Sequence, residues 1–392
     1  MSAPRILFVD HSGALGGAEL FLLDLARPHA DTSTVVTFEP GRFTDQLDAQ
    51  AFAYQVLDSG AALQQVRKSG TWMQGLRAVP ALMRTARSLA HMAASHDVLF
   101  ANSQKALLPA AWAAQRTGTP LIWMVHDLLT PEHFGTVQRQ LVTRIANMAA
   151  DLVAVNSRAT AHAFVESGGS TPVIDVPNGL DAAPFAPERT AASPVVRADL
   201  GLPPEAPVIG VFSRLAAWKG QHVLLDALGN LPDAHALIVG EAAFPGDASY
   251  AERLHARAAH PDIRGRVHFA GHQSNIPDLM AACTIVAHTS TAAEPFGRVV
   301  AEGLLAERPV VATHAGGVPE IIRPHHSGLL VPPGDAEALA NACQSLLDAP
   351  DWAATLARTG AADVRTRYGL DRMRAQFASA LHRVCPPART PA

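Results

Sequence analysis

Two glutamates bracket the stretch Glu294-Pro295-Phe296-Gly297-Arg298-Val299-Val300-Ala301-Glu302. Carboxylates at such positions can accept hydrogen bonds from hydroxyl groups or pair with cations. The upstream residues Thr284 to Ser290 are apolar and β-rich, so Glu294 falls just past an expected strand end. Pro295 fits a helix start but not a helix interior. Gly297 lets backbone approach a ligand closely. Val299 to Ala306 read as a helix, with Glu302 about one turn in. In an open α/β sheet, ligands bind at the carboxyl ends of strands. Both acids can reach such a site, one from the loop and one from the helix. A Glu near a helix start also complements the helix dipole, and an acid before Pro is often a solvated turn. Spacing alone leaves both readings open.

Other residues carry comparable chemistry. After the apolar run Arg5 to Val9 come Gly13, Gly16 and Gly17, then the helical pattern Ala18 to Ala26. A glycine loop feeding a helix N-terminus offers N–H groups to an anion. Its spacing is not GxGxxG, so a dinucleotide fingerprint is not supported. Strand Leu121 to Val125 ends in His126-Asp127. A His there can face a ligand crevice or simply bond the next loop. Arg214 and Lys219 flank the loop after strand Val208 to Phe212. Arg suits bidentate phosphate contact and Lys acts as a point charge, although a plain surface pair has the same spacing. His325-His326 is a loop pair, and no HExxH or spaced Cys/His cluster occurs in the sequence.

The elements that must hold these residues alternate. Expected strands are Arg5 to Val9, Thr34 to Phe38, Tyr54 to Leu57, Asp97 to Asn102, Leu121 to Val125, Leu152 to Asn156 and Val173 to Val176. Helical patterns cover Thr71 to Ala94, Gln104 to Arg116, His133 to Ala150 and Ala159 to Ser167. This βαβ series predicts a doubly wound sheet. Asp181 to Pro207 is rich in Ala and Pro without clear period, and reads as a linker. A second series follows, with strands Val208 to Phe212, Ala236 to Val239, Val267 to Ala270, Thr284 to Ala287, Pro309 to Ala312 and Leu329 to Val331. Three helices near Ala336 to Leu347, Asp351 to Arg367 and Arg372 to Val384 close the chain, and the tail from Pro386 is expected to fray.

The pattern Thr71 to Ala94 is two-sided. Trp72, Leu76, Val79, Leu82, Met83 and Leu89 share one side; Arg77, Arg84, Arg87 and His91 share the other. Such a helix can lie on an anionic membrane. A core-facing helix with a solvated charged side is the simpler account. Pro80 inside it predicts a kink or a break.

A length of 392 residues implies two domains, and 48 % apolar residues can fill two cores. A net charge of -4 gives no global attraction to nucleic acid. Cys283, Cys343 and Cys385 form no CxxC pair, which suits a reducing cytoplasm. The start of the chain reads as a buried strand rather than a signal peptide. No run reaches the roughly 20 apolar residues that span a bilayer.

Taken together, the Gly-Gly-Ala-Glu loop, the Arg214 to Lys219-Gly220 pair and the Glu294 to Glu302 stretch resemble the retaining GT-B glycosyltransferases of family 4, the glycosyl transferases group 1. The resemblance covers nearly the whole chain. It implies an α/β protein of two Rossmann-like, doubly wound domains facing across a cleft. The expected divisions are an acceptor-side domain over 1–190, a linker over 191–207, a nucleotide-sugar domain over 208–370 and a C-terminal helix and tail over 371–392. That last helix can pack back on the first domain.

The resemblance also implies roles. Arg214 and Lys219 match the cations on the donor diphosphate, Glu302 the acid on the ribose, and Glu294 the acid on the donor sugar. Phe296, Gly297 and Arg298 place N–H groups near sugar and phosphates. Gly16 and Gly17 match a loop that reaches the donor phosphate or the acceptor, and His126 a His beside the transferred sugar. His126, Glu294, Arg214 and Lys219 are thus the catalytic candidates. Gly240-Glu241 departs from the commoner Gly-Asp-Gly, so Glu241 receives no role. The implied reaction is metal-independent sugar transfer with retention, without a cofactor, to a sugar, lipid-linked or small-molecule acceptor in surface polysaccharide or glycoconjugate synthesis. A UDP-sugar is slightly preferred over a GDP-sugar as donor. The protein would be cytoplasmic, with peripheral association at the inner membrane face left open. A sugar-nucleotide epimerase or phosphorylase of the same fold, or a non-catalytic sugar-nucleotide-binding protein, are the alternatives.

Overall fold

The computed structural model describes residues 3–57, 72–186, 193–242 and 244–385. In chain order the first unit contains β1 (Ile6–Val9), α1 (Gly17–Ala26), β2 (Thr34–Thr37), α2 (Arg42–Ala49), β3 (Tyr54–Val56), α3 (Trp72–Ala93), β4 (Val98–Ala101), α4 (Gln104–Thr117), β5 (Leu121–Val125), α5 (Thr136–Ala149), β6 (Leu152–Val155), α6 (Arg158–Glu166) and β7 (Val173–Asp175). The strands are short apolar runs buried on both sides, as in β1, β4, β5 and β6. That pattern demands helices on both faces of a parallel sheet. The seven strands run parallel in the order β3-β2-β1-β4-β5-β6-β7. Side-chain caps mark two helix starts: Ser103 accepts from Ala106 N and Ser157 from Thr160 N.

The second unit contains α7 (Ser193–Asp199), β8 (Val208–Phe212), α8 (Gln221–Ala227), β9 (His235–Val239), α9 (Ala248–Ala258), β10 (Val267–Gly271), α10 (Ile276–Ala282), β11 (Ile285–His288), α11 (Arg298–Leu305), β12 (Val310–Thr313), α12 (Val318–Ile321), β13 (Leu329–Val331), α13 (Ala336–Asp348) and α14 (Pro350–Tyr368). Its six parallel strands run β10-β9-β8-β11-β12-β13. The final helix, α15 (Leu370–Val384), belongs to the first unit. Phe377 sets its ring against Phe8, Phe100 and His29, and Met373 Sδ accepts from Gly179 N.

In each sheet the order turns back between the strand that starts the unit and the one after the third crossover: β1 beside β4, and β8 beside β11. Chain leaves these two neighbours in opposite directions, which opens a crevice at their carboxyl ends.

Three expectations need correction. The compact units are 1–179 with 370–392, and 180–369. The stretch expected as a linker therefore joins the second unit. Its α7 packs on α10, and Arg197 bonds the carbonyls of Ala282, Pro204 and Ala206; residues 187–192 lie outside the described ones. Pro80 neither ends nor divides α3, which is continuous from Trp72 to Ala93. The α2 helix was not expected. The side chains of Trp72, Leu76 and Arg77, and the tail from Pro386, lie outside the described residues.

Candidate functional site

The second unit's site forms where the loops after β8, β11 and β12 meet. Close backbone contacts lock these loops. Gly220 has a left-handed φ of 69°, and a Cβ there would sit 1.9 Å from the Thr289 carbonyl oxygen. Thr289 Oγ1 donates to the Lys219 carbonyl at 2.9 Å, and Thr291 N to that of Trp218 at 2.8 Å. On the other side, Gly316 and Gly317 lie against Glu294 and Pro295, with Gly317 N donating to the Glu294 carbonyl at 2.8 Å. Here glycine is needed because backbone meets backbone.

Lys219 and Glu294 are brought together by this packing. Lys219 Nζ donates directly to Glu294 Oε1, and Ser290 Oγ donates to the same oxygen at 2.7 Å. His288 Nε2 lies 3.4 Å away, an ion-pair distance rather than a hydrogen bond, while its Nδ1 sits 3.0 Å from Thr313 Oγ1. Burial works to raise the Glu294 carboxyl. The charge of Lys219 and the proximity of His288 outweigh it and hold the group well below the ordinary carboxylate range. Lys219 Nζ also lies 4.1 Å from the Trp218 ring centre, a cation–π distance.

Arg214 lies on the other flank of the same loop. Its Nη1 is 3.3 Å from Asp247 Oδ2, and its guanidinium lies 4.9 Å from the ring centre of Phe244. Gln221, fully buried, fixes the loop by donating to Ser213 Oγ and the Arg214 carbonyl.

The remaining candidates in this unit separate. Phe296 is buried, with its ring against Tyr368 at 5.2 Å, so only its backbone faces the loop. Gly297 caps α11 with φ 99°. Arg298 Nε donates to Glu302 Oε1 at 2.7 Å, one turn along the helix. Burial raises the Glu302 carboxyl, and Arg298 offsets this only in part. Glu302 therefore sits with Arg298 and not with Lys219. Among the described residues, no group of three or more His, Cys, Asp or Glu side chains is placed to hold a metal ion.

The first unit has its own polar cluster at the carboxyl ends of β1, β4 and β5. Asp10, fully buried, accepts from His11 N, Ser12 N and Asn102 Nδ2. His126 Nε2 lies 2.8 Å from Asn102 Oδ1. Burial lowers the His126 ring to about 4, against a smaller raising effect of Asp10. Glu19 is buried on α1 and reaches back to Gly16 N at 2.8 Å. Burial and the charge of Asp10 raise its carboxyl to about 7. The glycine loop thus differs from the expected anion cradle. The Gly16 N–H is already taken, and two acids lie beneath it.

Asp10, Asn102, His288 and Ser290 are not singled out by the sequence, and Glu19 enters there only as the last residue of the Gly-Gly-Ala-Glu loop. The one available signal was a polar residue ending an apolar strand, as at Asp10, Asn102 and His288.

Residues 193–362 match the family model for glycosyl transferases group 1, and residues 16–179 that for a glycosyl transferase 4-like domain. The chain is 32 % identical over 317 residues to a D-inositol 3-phosphate glycosyltransferase of Stackebrandtia nassauensis, covering 72 % of this chain and 68 % of that one. It is 33 % identical to the lipopolysaccharide core biosynthesis glycosyltransferase LpsE of Rhizobium meliloti over 39 % of this chain, and the match spans only 43 % of LpsE. The crystal structure of Anabaena Alr3699/HepE in complex with UDP-glucose superposes with a TM-score of 0.86 at 36 % identity, covering 97 % of this chain and 99 % of that one. The fold is accordingly of the GT-B class, with two Rossmann-like units.

Proposed function

We propose, from the premise that the chain belongs to the glycosyl transferases group 1 family, that it moves a sugar from a nucleoside-diphosphate sugar to a hydroxyl acceptor. The observation that carries this reading is the pairing of Lys219 with Glu294 at the β8/β11 crevice, with Arg214 on the same loop and both cations against the Trp218 ring. Breaking a glycosyl–phosphate bond puts negative charge on the departing diphosphate. Fixed cations stabilise that charge without reorganising as it forms. Lys219 has three N–H donors, of which Glu294 takes one. The others suit phosphate oxygens. Arg214 supplies a planar fork for the same group, and the two cations take the part a divalent ion plays elsewhere.

Glu294 stays ionised at neutral pH, so it accepts from sugar hydroxyls rather than giving a proton. Glu302, held in place by Arg298, is assigned to the ribose hydroxyls. This division puts Glu302 away from the anomeric carbon, so Glu294 and Glu302 do not form a hydrolase-type acid and base pair. Same-face transfer, with the leaving phosphate helping to deprotonate the acceptor, fits what remains. In the first unit, the acids below the Gly16-Gly17 loop suit a hydroxylated acceptor better than a phosphate. His126 retains its assignment to the transferred sugar. UDP-glucose in the Anabaena relative supports a UDP-sugar donor. LpsE, named for lipopolysaccharide core biosynthesis, supports an acceptor in surface glycoconjugates.

The test is a thermal-shift panel with UDP, GDP and their sugars, followed by transfer assays. UDP-sugars should raise Tm, and nucleotide release should require an acceptor. Arg214→Ala and Lys219→Ala should each lower transfer by about 100-fold or more. Unchanged transfer in the double variant would sink the reading.

A further inference from the structure

Helices α3, α4 and α5 lie side by side on one face of the first sheet. None of the three contains an Asp or Glu, although the chain as a whole has 35 acids against 31 Lys and Arg. Arg84 and Arg87 on α3, Lys105 and Arg116 on α4, and Arg144 on α5 are all exposed. A solvated helix face ordinarily mixes both signs. Here the signs are not mixed.

A second observation lies between the same helices. Leu82 and Met83 from α3, Leu108 and Trp112 from α4, and Ile145 and Met148 from α5 line an apolar groove of about 280 Å³. Along α5 the apolar row continues into water. Val137, Leu141 and Met148 share one side of the helix and are 79, 52 and 69 % exposed. Single exposed apolar residues are ordinary, whereas a row beside a groove marks a contact surface. Arg144 falls within this row by helical spacing, and Lys105 and Arg116 share the Trp112 side of α4. No helix among the described residues is long and apolar enough to cross a membrane.

We propose that this face binds the surface of an anionic lipid bilayer, with Leu141 and Met148 entering the acyl boundary and the cations meeting headgroup phosphates. Charge selects the occupant. A face without acids complements a uniformly negative surface. A second copy docking through the same patch would bring these cations against themselves. The modest apolar area makes the binding reversible and dependent on negative lipid. The inference does not rest on the transfer reaction, because vesicle binding is read without turnover.

The experiment is sedimentation of the full chain with phosphatidylcholine vesicles and with vesicles that also contain phosphatidylglycerol. The protein should pellet with the anionic vesicles only, and added salt should release it. Each cation near such a surface contributes about fivefold in partitioning. The triple variant Arg84→Gln, Arg87→Gln, Arg144→Gln should therefore bind about 100-fold more weakly. Leu141→Ser with Met148→Ser, which leaves every charge in place, should weaken binding by about tenfold or more. Circular dichroism and Tm confirm that the variants fold, and transfer to a water-soluble acceptor should be unaffected. No pelleting with anionic vesicles, equal pelleting with neutral ones, or wild-type binding by folded variants overturns the proposal.

Discussion

The Oδ1 atom of Asn102 accepts from His126 Nε2 at 2.8 Å, and the rest of the Asn102 amide leaves no choice about direction. Its Nδ2 donates to Asp10 Oδ2 at 2.5 Å and to the Ala18 carbonyl at 3.1 Å, and both of those atoms only accept. Oδ1 must then face His126, so the ring carries its proton on Nε2. With the ring neutral, Nδ1 keeps its lone pair. Because burial lowers the ring to about 4, this tautomer persists at every working pH. Asn102→Asp would place a carboxylate at the same spot, and an adjacent opposite charge typically raises a His by about 1–3 units. Ring-carbon NMR titration should place wild-type His126 near 4 and the Asn102→Asp variant clearly higher. A wild-type midpoint near the free value removes the argument.

Glu19 and His126 oppose each other in pH-dependent stability. His126 falls from 6.5 unfolded to about 4 folded. The unfolded chain therefore binds the extra proton between those values, and stability from this group rises with pH there. Glu19 rises from 4.5 to about 7, so the folded chain holds the extra proton. Its contribution is present at low pH and is lost as pH rises through about 7. From pH 5 to 7 each group changes stability by about 2 kcal/mol, with opposite signs. Relative to wild type, Glu19→Gln should gain stability over that interval and His126→Gln should lose it. Denaturant unfolding at the two pH values measures both. Slopes of the same sign contradict the paired shifts.

Much of this architecture was legible in the sequence, for a definite reason. Runs such as Ile6–Val9 and Leu121–Val125 are apolar throughout because both faces are covered. A strand of that kind announces itself without any partner. The α2 helix did not, because Phe43 and Leu47 are the only apolar residues on its buried side, beside Thr44 and amid polar residues. Helix α7 was obscured by the Pro-rich and Ala-rich sequence around it, and its anchor, Arg197, reaches one carbonyl far along the chain, that of Ala282. At the candidate site, Arg214, Lys219 and Glu294 stand out in the sequence because each lies in the segment between a strand and the next helix. Their pairing was not, since it depends on β8 lying beside β11. The link between Asp10, Asn102 and His126 is hidden in the same way, because it spans three strands brought together by sheet order.

Lys219 and Glu294 should prove strongly coupled. Their side chains are only 18 and 11 % exposed, and removing one member of such a pair strands the other charge, at a cost of about 3 kcal/mol. Glu294→Gln keeps the shape and the Ser290 contact but leaves Lys219 without its carboxylate. Lys219→Met does the reverse. The double variant should lose much less than the sum of the two, which a double-mutant cycle reads directly. The sign with pH is also set. The folded Glu294 carboxyl lies below its unfolded value of 4.5, so its stabilisation is present above that value and disappears as pH falls towards the folded one. The stability gap between wild type and Glu294→Gln should narrow below about pH 4.5. A constant gap, or additive single variants, would show that the pair contributes little.

Gly220 tests whether the site depends on its backbone frame rather than on charge alone. Alanine there meets two obstacles: a φ of 69°, and a Cβ 1.9 Å from the Thr289 carbonyl oxygen. Gly118 supplies the comparison. Its φ is 74°, yet a Cβ there meets nothing within 4 Å. Gly118→Ala should therefore cost only about 1 kcal/mol, from backbone strain. Gly220→Ala must also push the β8 and β11 loops apart, which carries Lys219 away from the position that Ser290 and Glu294 define. A displacement of about 1 Å in such a frame can cost about 100-fold in rate. Transfer by Gly220→Ala should fall by that order in kcat/KM, with circular dichroism still native, while Gly118→Ala transfers like wild type. Equal activity in the two variants would mean that the loops yield without moving Lys219, and that the close approach of Gly220 to Thr289 is packing alone.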